Sequence, residues 1–79
     1  MAVYLHLSSF LRKYVPNYDP TKGLVLENAE GRTIREIVKM LGIPEKEVTS
    51  ILVNHMPAQF ATAVKDGDKV AFVVALGGG

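Results

Sequence analysis

The residues whose type and position most clearly suggest a chemical role are the last three of the sequence, Gly77, Gly78 and Gly79. They follow an apolar run at 70–76. Glycine has no Cβ, so an extended glycine segment fits a slot too narrow for side chains. A carboxylate at its end can therefore be presented inside another protein's active site. We predict that residues 77–79 form a flexible tail with Gly79 as its reactive residue, and a frayed terminus without a role is the alternative.

Composition narrows the class of protein that carries this tail. The chain has 79 residues, which is one domain's length, and its 48% hydrophobic and 22% charged residues are typical of a chain that folds. Its formal charge is +1, with no basic stripe interleaved with aromatic residues, so nucleic acid is not an expected partner. Cysteine is absent, which excludes disulfides, thiolate zinc sites and a cysteine nucleophile.

Neither a membrane segment nor a metal site is expected. No stretch reaches the ~20 apolar residues of a membrane span, and the first residues do not resemble a signal peptide, so we expect a cytoplasmic protein with no membrane partner. His6 and His55 have no other ligand at metal-binding spacing and receive no role. Asp66 and Asp68 flank a glycine before a strand, which is typical of turn residues.

The first half of the chain predicts two strands and a helix. Apolar residues alternate with polar ones at 3–8, which predicts a first strand, and a second strand is expected at 24–27 beyond a loop rich in proline, glycine and asparagine. Thr33 and Glu36 have the spacing of a capping box. An apolar stripe follows, and Gly42 then supplies a left-handed C-cap; the stripe consists of Ile34, Ile37, Val38 and Leu41.

The second half predicts a third strand at 51–54, no firm period at 56–64, a turn at 65–68 and a last strand at 70–76. The last strand is so uniformly apolar that we expect it to be buried on both faces in the middle of the sheet, beside the first strand. This order predicts an α+β fold, a ubiquitin-like β-grasp roll. It would have a mixed sheet of four to five strands, with one main helix on one face. The predicted domain comprises residues 1–76.

These segments resemble the MoaD/ThiS family of sulfur-carrier proteins, which have the β-grasp fold. Val-Lys-Asp-Gly-Asp-Lys-Val-Ala-Phe at 64–72 resembles the family's Leu-Lys-Asp-Gly-Asp-x-Val-Ala-Phe. Val53-Asn54 resembles its Val-Asn pair, the glycine end its Gly-Gly, and the helix beginning at 33 its single helix. Length and the long first loop favour the MoaD-like branch, whereas the Leu-Gly-Gly-Gly ending is closer to ThiS tails.

Three positions depart from the family pattern. His55 stands where the family has glycine after Val-Asn, Val74-Ala75 stands where MoaD-like proteins have a proline pair, and Gly77 adds a third glycine. The missing proline pair weakens the likeness to the MoaD-like branch, although the joint spacing of the other motifs is retained.

The resemblance implies a sulfur carrier, not an enzyme, that binds no cofactor of its own. An E1-like adenylating enzyme would use ATP to convert the Gly79 carboxylate to an acyl adenylate, and a sulfur donor such as a cysteine desulfurase would turn it into a thiocarboxylate. The expected acceptor is the large subunit of molybdopterin synthase, with thiazole synthase of thiamine synthesis as the alternative. The molybdenum or tungsten cofactor pathway is favoured.

The resemblance also implies a partner-binding surface made by Phe72, Leu76, Gly77 and Gly78. Phe72 has two interpretations, core residue or contact residue, because it lies within a strand. Two other functions remain open at this point. A ubiquitin-like modifier would form an isopeptide through Gly79, and a non-covalent β-grasp binding module would not use the tail.

Overall fold

The computed structural model describes residues 2–73, which form a five-stranded sheet and one α-helix. The strands are β1 (Ala2–Leu7), β2 (Leu24–Glu27), β3 (Ser50–Val53), β4 (Met56–Pro57) and β5 (Lys69–Val73). The helix α1 spans Ile34–Leu41, and two short 3₁₀ turns lie at Arg12–Tyr14 and Glu45–Glu47. Residues 74–76 of the predicted domain and the predicted tail lie outside the described residues.

The sheet has the order β2-β1-β5-β3-β4, with the last described strand in the middle. β5 runs parallel to β1 and antiparallel to β3, and β1 pairs with β2 in an antiparallel hairpin. The sheet is therefore mixed, and the predicted β-grasp arrangement is confirmed. β4 was not predicted, because a two-residue strand has no period of its own to read.

The helix begins and ends where its capping residues predict. The Glu36 carboxylate accepts the Thr33 backbone N–H at 2.8 Å, and the Thr33 hydroxyl accepts the Glu36 N–H at 3.2 Å. The bond from the Thr33 N–H lowers the pKa of Glu36, with further lowering by the Thr33 hydroxyl and by Arg32, against a smaller opposing effect of desolvation. At the other end Gly42 has the left-handed φ of 73°.

The core lies between α1 and one face of the sheet. Ile34, Ile37 and Val38 of the predicted stripe are buried, whereas Leu41 is only half-buried at the edge of the same cluster. The sheet contributes alternate residues, as the burial pattern of β1 shows. The buried strand residues in this cluster are Val3, Leu5, Leu7, Ile51, Val70 and Phe72.

The prediction that the last strand is buried on both faces is wrong. Within β5, Val70 and Phe72 are buried, Ala71 is half-buried, and Lys69 and Val73 are exposed. The physical reason is that α1 covers only one face of the sheet, so even the central strand keeps one side towards solvent. A uniformly apolar strand here has a second face that is available for contact with another molecule.

Candidate functional site

The chain leaves the described part of the sheet at Val73, and both neighbouring segments bind that point. Ser8 donates its backbone N–H to the Phe72 carbonyl at 3.1 Å. Thr49 donates both its backbone N–H, at 3.2 Å, and its hydroxyl, at 3.0 Å, to the Val73 carbonyl. We call these four residues the exit clamp. It fixes where the chain departs towards Gly79, although Leu76, Gly77, Gly78 and Gly79 lie outside the described residues.

Of the two interpretations of Phe72, its burial supports the core residue. It is only 1% exposed and lies opposite Leu7 of β1, which is 2% exposed, on the face covered by the helix. Because side chains alternate along a strand, Val73 points to the other side and is 37% exposed. Within residues 2–73, the exposed side chain nearest the tail is therefore Val73.

The sheet face opposite the helix carries an unusual amount of exposed apolar surface. Tyr4 on β1 and Val25 on β2 are directly opposed and are 41% and 49% exposed. We call this the open face, defined by Tyr4, His6, Val25, Leu52, Lys69, Ala71 and Val73, which follow from the strand registers. Exposed apolar surface of this kind, next to polar groups, is typical of a protein contact site.

A pocket of about 270 Å³ lies on the open face. Its polar side chains come from three separate places in the sequence, His6 on β1, Lys69 on β5 and His55 between β3 and β4. Its remaining lining residues are Leu52, Val70 and Ala71, and Val70 turns its side chain to the core. The two histidines have no predicted role, because nothing in their spacing indicates that the sheet registers bring them to one concavity.

The turn that carries His55 is held to the first residues of β5. Asn54 and His55 connect β3 to β4 with positive φ angles of 52° and 69°. Asn54 donates its backbone N–H to the Lys69 carbonyl at 2.7 Å, and its side-chain oxygen accepts the Lys69 N–H at 3.0 Å. Its side-chain NH₂ donates to Asp68 at 2.9 Å. This explains in physical terms why asparagine follows Val53.

Asp68 also closes its own turn, as predicted. One carboxylate oxygen accepts the bond from Asn54, and the other accepts the Lys65 backbone N–H at 2.8 Å. Within residues 2–73, no group of three or more His, Cys, Asp or Glu side chains is placed to hold a metal ion. No helix in the same range is long and apolar enough to cross a membrane.

A second concavity, of about 420 Å³, lies at the β3–β4 edge of the sheet. Thr49 and Ser50 form one end of it, so it borders the exit clamp. Its other lining residues are Val48, Ile51, Leu52, Pro57, Ala58, Gln59 and Phe60. Both this groove and the open face therefore adjoin the point where the described chain ends.

A mixed five-stranded sheet with one helix packed on one face defines a ubiquitin-like β-grasp protein. Among solved structures, that of SAMP1 from Haloferax volcanii aligns over 100% of both chains, with a TM-score of 0.68 at 14% sequence identity. A likeness at this level of identity concerns the fold.

The sequence places the chain in a family more directly. The family model described as Mut7-C ubiquitin matches residues 1–74, and the chain therefore belongs to this family. A search of curated proteins returned no match. The ubiquitin-like part of the predicted resemblance is confirmed by the family and by the fold.

Proposed function

We propose that this protein is a sulfur carrier of the MoaD/ThiS kind, in which the Gly79 carboxylate carries the sulfur. The observation that supports the proposal most directly is the exit clamp, which binds the chain at Val73, six residues before Gly79. Six extended residues span at most about 20 Å. A folded domain that holds the start of a short segment ending in glycine can present the terminal carboxylate at a limited distance from the surface that binds the partner.

The chemistry proposed for Gly79 proceeds in two substitutions and one disulfide exchange. A carboxylate oxygen of Gly79 attacks the α-phosphorus of ATP on an E1-like enzyme, pyrophosphate leaves, and an acyl adenylate forms. The outer sulfur of a persulfide on a donor such as a cysteine desulfurase then attacks the carbonyl carbon and displaces AMP, which gives an acyl disulfide. A thiol of a partner enzyme attacks the donor's sulfur in that disulfide, so that a disulfide between the two partner sulfurs forms and the acyl sulfur is released. The product is a thiocarboxylate, and forming it through an activated intermediate divides one difficult step into two easier ones.

Docking in this proposal uses the open face together with the tail. The exposed side chains of Tyr4, Val25 and Val73 supply apolar contact area on the strands that lead to the clamp. Leu76, Gly77 and Gly78 would enter the partner's active-site slot, since glycine passes where side chains do not. The partner enzymes supply ATP binding and catalysis, and this chain supplies the acyl group.

The pathway that we propose first is molybdenum or tungsten cofactor synthesis, with this chain as the small subunit of molybdopterin synthase. The motif at 64–72 and the long loop between β1 and β2 support that branch. Thiazole synthesis for thiamine is the alternative for the same chemistry, supported by the Leu-Gly-Gly-Gly ending. A ubiquitin-like modifier would form the same adenylate, but AMP would leave and the Gly79 acyl group would finally be joined to a lysine amine as an isopeptide.

A non-covalent binding module is the second candidate function, and the open face is the observation that favours it. Its apolar residues and its pocket belong to the folded sheet and do not require the tail. Deleting Gly78 and Gly79 would leave such binding unchanged.

The test is ATP–pyrophosphate exchange catalysed by the cognate activating enzyme, run beside a pull-down on the same variants. Deleting Gly79 keeps a Gly-Gly end but withdraws the carboxylate by about 3.5 Å, the span of one extended residue. Reacting atoms must lie about 3–3.5 Å apart, and a displacement of about 1 Å already slows a reaction strongly, so the shortened tail cannot place its carboxylate at the α-phosphate. The clamp prevents the body from releasing more chain. We expect exchange to fall at least tenfold while docking persists.

Two further variants sharpen the test. Gly78→Val keeps the reach but adds a branched side chain, and we expect it to block exchange as well. Lys39→Ala, on the exposed side of α1, is the matched control and should exchange at the wild-type rate. If both tail variants exchange like the control, Gly79 is not the reactive residue and the binding-module function replaces the carrier.

The intact mass of the protein from its native host provides a direct readout. An oxygen-to-sulfur increment on a chain ending at Gly79 supports the carrier, and a branched conjugate to a lysine supports the modifier. A chain that continues beyond Gly79 in its mature form would refute both.

A further inference from the structure

The pocket on the open face combines basic side chains with apolar ones. His6, His55 and Lys69 form its polar lining, and no acidic side chain is among the residues that line it. We propose that this pocket binds a single oxyanion group, either a phosphate or a carboxylate. The site is made by residues of the folded sheet and does not depend on the proposed sulfur chemistry.

The backbone that carries two of the pocket's basic residues is held together by hydrogen bonds. The paired bonds between Asn54 and Lys69, at 2.7 and 3.0 Å, hold the β3–β4 turn against the first residue of β5. His55 follows Asn54 directly and has a φ of 69°, in the left-handed region where asparagine, aspartate and histidine are enriched among the residues other than glycine. The turn thus places His55 and Lys69 in the lining of one pocket.

His6 is confined from the opposite side by Gly23, which precedes β2. A Cβ at Gly23 would lie 2.9 Å from His6 Cε1 and 2.7 Å from the Leu5 carbonyl oxygen. The glycine therefore lets the backbone approach closely beside the imidazole ring. The ring of His6 has little room to move away from the pocket on that side.

The charges favour an anion over a metal ion. Histidine is a common metal ligand, but the Lys69 ammonium would repel a cation bound at the same place. The nearby Asp68 carboxylate is already bonded to Asn54 and to the Lys65 N–H, which reduces its ability to neutralise the site. The lining residues therefore attract negative charge through Lys69, and the two imidazole rings can donate hydrogen bonds to an anion.

The size of the pocket indicates one group rather than a large molecule. Its volume of about 270 Å³ is below the ~300–1,000 Å³ typical of small-molecule sites. The apolar side chains of Leu52 and Ala71 in the lining reduce the local dielectric, so an ion pair in the pocket is stronger than one on an open polar surface. The pairing of the strands and the packing of the core do not require basic side chains at positions 6, 55 and 69, which is consistent with a binding role for His6, His55 and Lys69.

Binding should weaken as salt is added, because the attraction between the anion and Lys69 is electrostatic and is screened by salt. Besides the lining residues, the titratable groups of residues 2–73 that the strand registers place on this side of the sheet are Tyr4 on β1 and Glu27 on β2. Glu27 pairs with Ala2, which is about 13 Å along β1 from His6. At this distance its charge is largely screened at physiological salt.

The experiment is an NMR titration of the full chain with inorganic phosphate at pH 6, with sodium chloride at equal ionic strength as reference. Backbone amides and the ring signals of His6 and His55 are followed. We expect saturable shifts at these residues and at Ala71. Sodium acetate is titrated in parallel. Saturation by acetate as well assigns the site to carboxylates, and saturation by phosphate alone assigns it to phosphates.

Three variants and one control test the assignment. Lys69→Gln, His6→Ala and His55→Gly should each weaken binding at pH 6 at least threefold. His55→Gly is expected to fold well, since glycine suits its φ. Lys46→Gln, on the 3₁₀ turn away from the pocket, should bind like the wild type. Shifts no larger than those with chloride for both anions, or saturable binding of Zn²⁺ in place of anions, would overturn the proposal.

Discussion

The turn at Asn54 and His55 offers a sharp test of what its side chains contribute to stability. Both residues have positive φ, 52° and 69°, but only Asn54 uses its side chain to bind β5. We therefore expect glycine substitutions at these two neighbouring positions to have opposite effects. Asn54→Gly should destabilise the fold, and His55→Gly should stabilise it.

The magnitudes follow from the bonds and the backbone. Asn54→Gly removes two side-chain hydrogen bonds, to Asp68 at 2.9 Å and from the Lys69 N–H at 3.0 Å. At ~1 kcal/mol each, the free energy of unfolding should fall by about 2 kcal/mol. His55→Gly relieves a left-handed conformation that costs roughly 1–2 kcal/mol, in part offset by the greater freedom of glycine in the unfolded chain. A net gain of ~0.5–1 kcal/mol is expected.

The assay is urea and thermal unfolding followed by circular dichroism. A change of 1 kcal/mol shifts the Tm of a domain this size by about 4–8 °C, so Asn54→Gly should unfold at least ~8 °C below the wild type and His55→Gly a few degrees above it. The urea m-value should stay constant, because the exposed area on unfolding hardly changes. If the two variants have the same Tm, the Asn54 side-chain bonds add nothing and the reasoning fails.

Two further predictions concern the helix. Ile37→Asp should abolish folding at ambient temperature, because it buries an unpaired carboxylate at a position that is 1% exposed. The control Lys39→Asp should still unfold in a cooperative transition. Equal melting curves for the two variants would contradict the assigned core face of the helix. The pKa of Glu36 is lowered in the folded state, so its contribution is present above the ordinary glutamate pKa of ~4.3 and is lost as the pH falls through the lower folded value. Compared with Glu36→Gln in unfolding experiments, the wild type should lose relative stability between pH 6 and pH 3, and a pH-independent difference would refute this.

Local signals in the sequence predicted the helix and the element order well. The Thr33 and Glu36 pair and Gly42 mark the helix ends because capping depends on residues within one turn of each other. The central place of β5 also followed from its apolar run. The exposure of one face of β5 to solvent could not be predicted, because Ala71 and Val73 are apolar and do not indicate which face lacks a covering helix.

The pocket and β4 could not be predicted from the sequence for a different reason. His6, His55 and Lys69 meet only through strand registers and through the positive φ of the β3–β4 turn, and a histidine does not signal that angle as glycine would. The same turn places Met56 and Pro57 against β3. The role of Phe72 was undecided because an apolar residue in a strand has two possible faces, and only the register with Leu7 selects one.

The parallel pairing of β1 with β5 also determines when this domain can fold. It joins residues 4–7 to residues 69–72, so the centre of the sheet closes a loop that spans almost the whole described chain. Closing a loop of this length costs about 4 kcal/mol of chain entropy, which places this protein among the slower, non-local folders. During synthesis, β1 and β2 can form their hairpin early, but the inner edge of β1 stays unpaired until β5 has left the ribosome. A chain interrupted before residue 69 therefore has no central strand and leaves that edge open to aggregation.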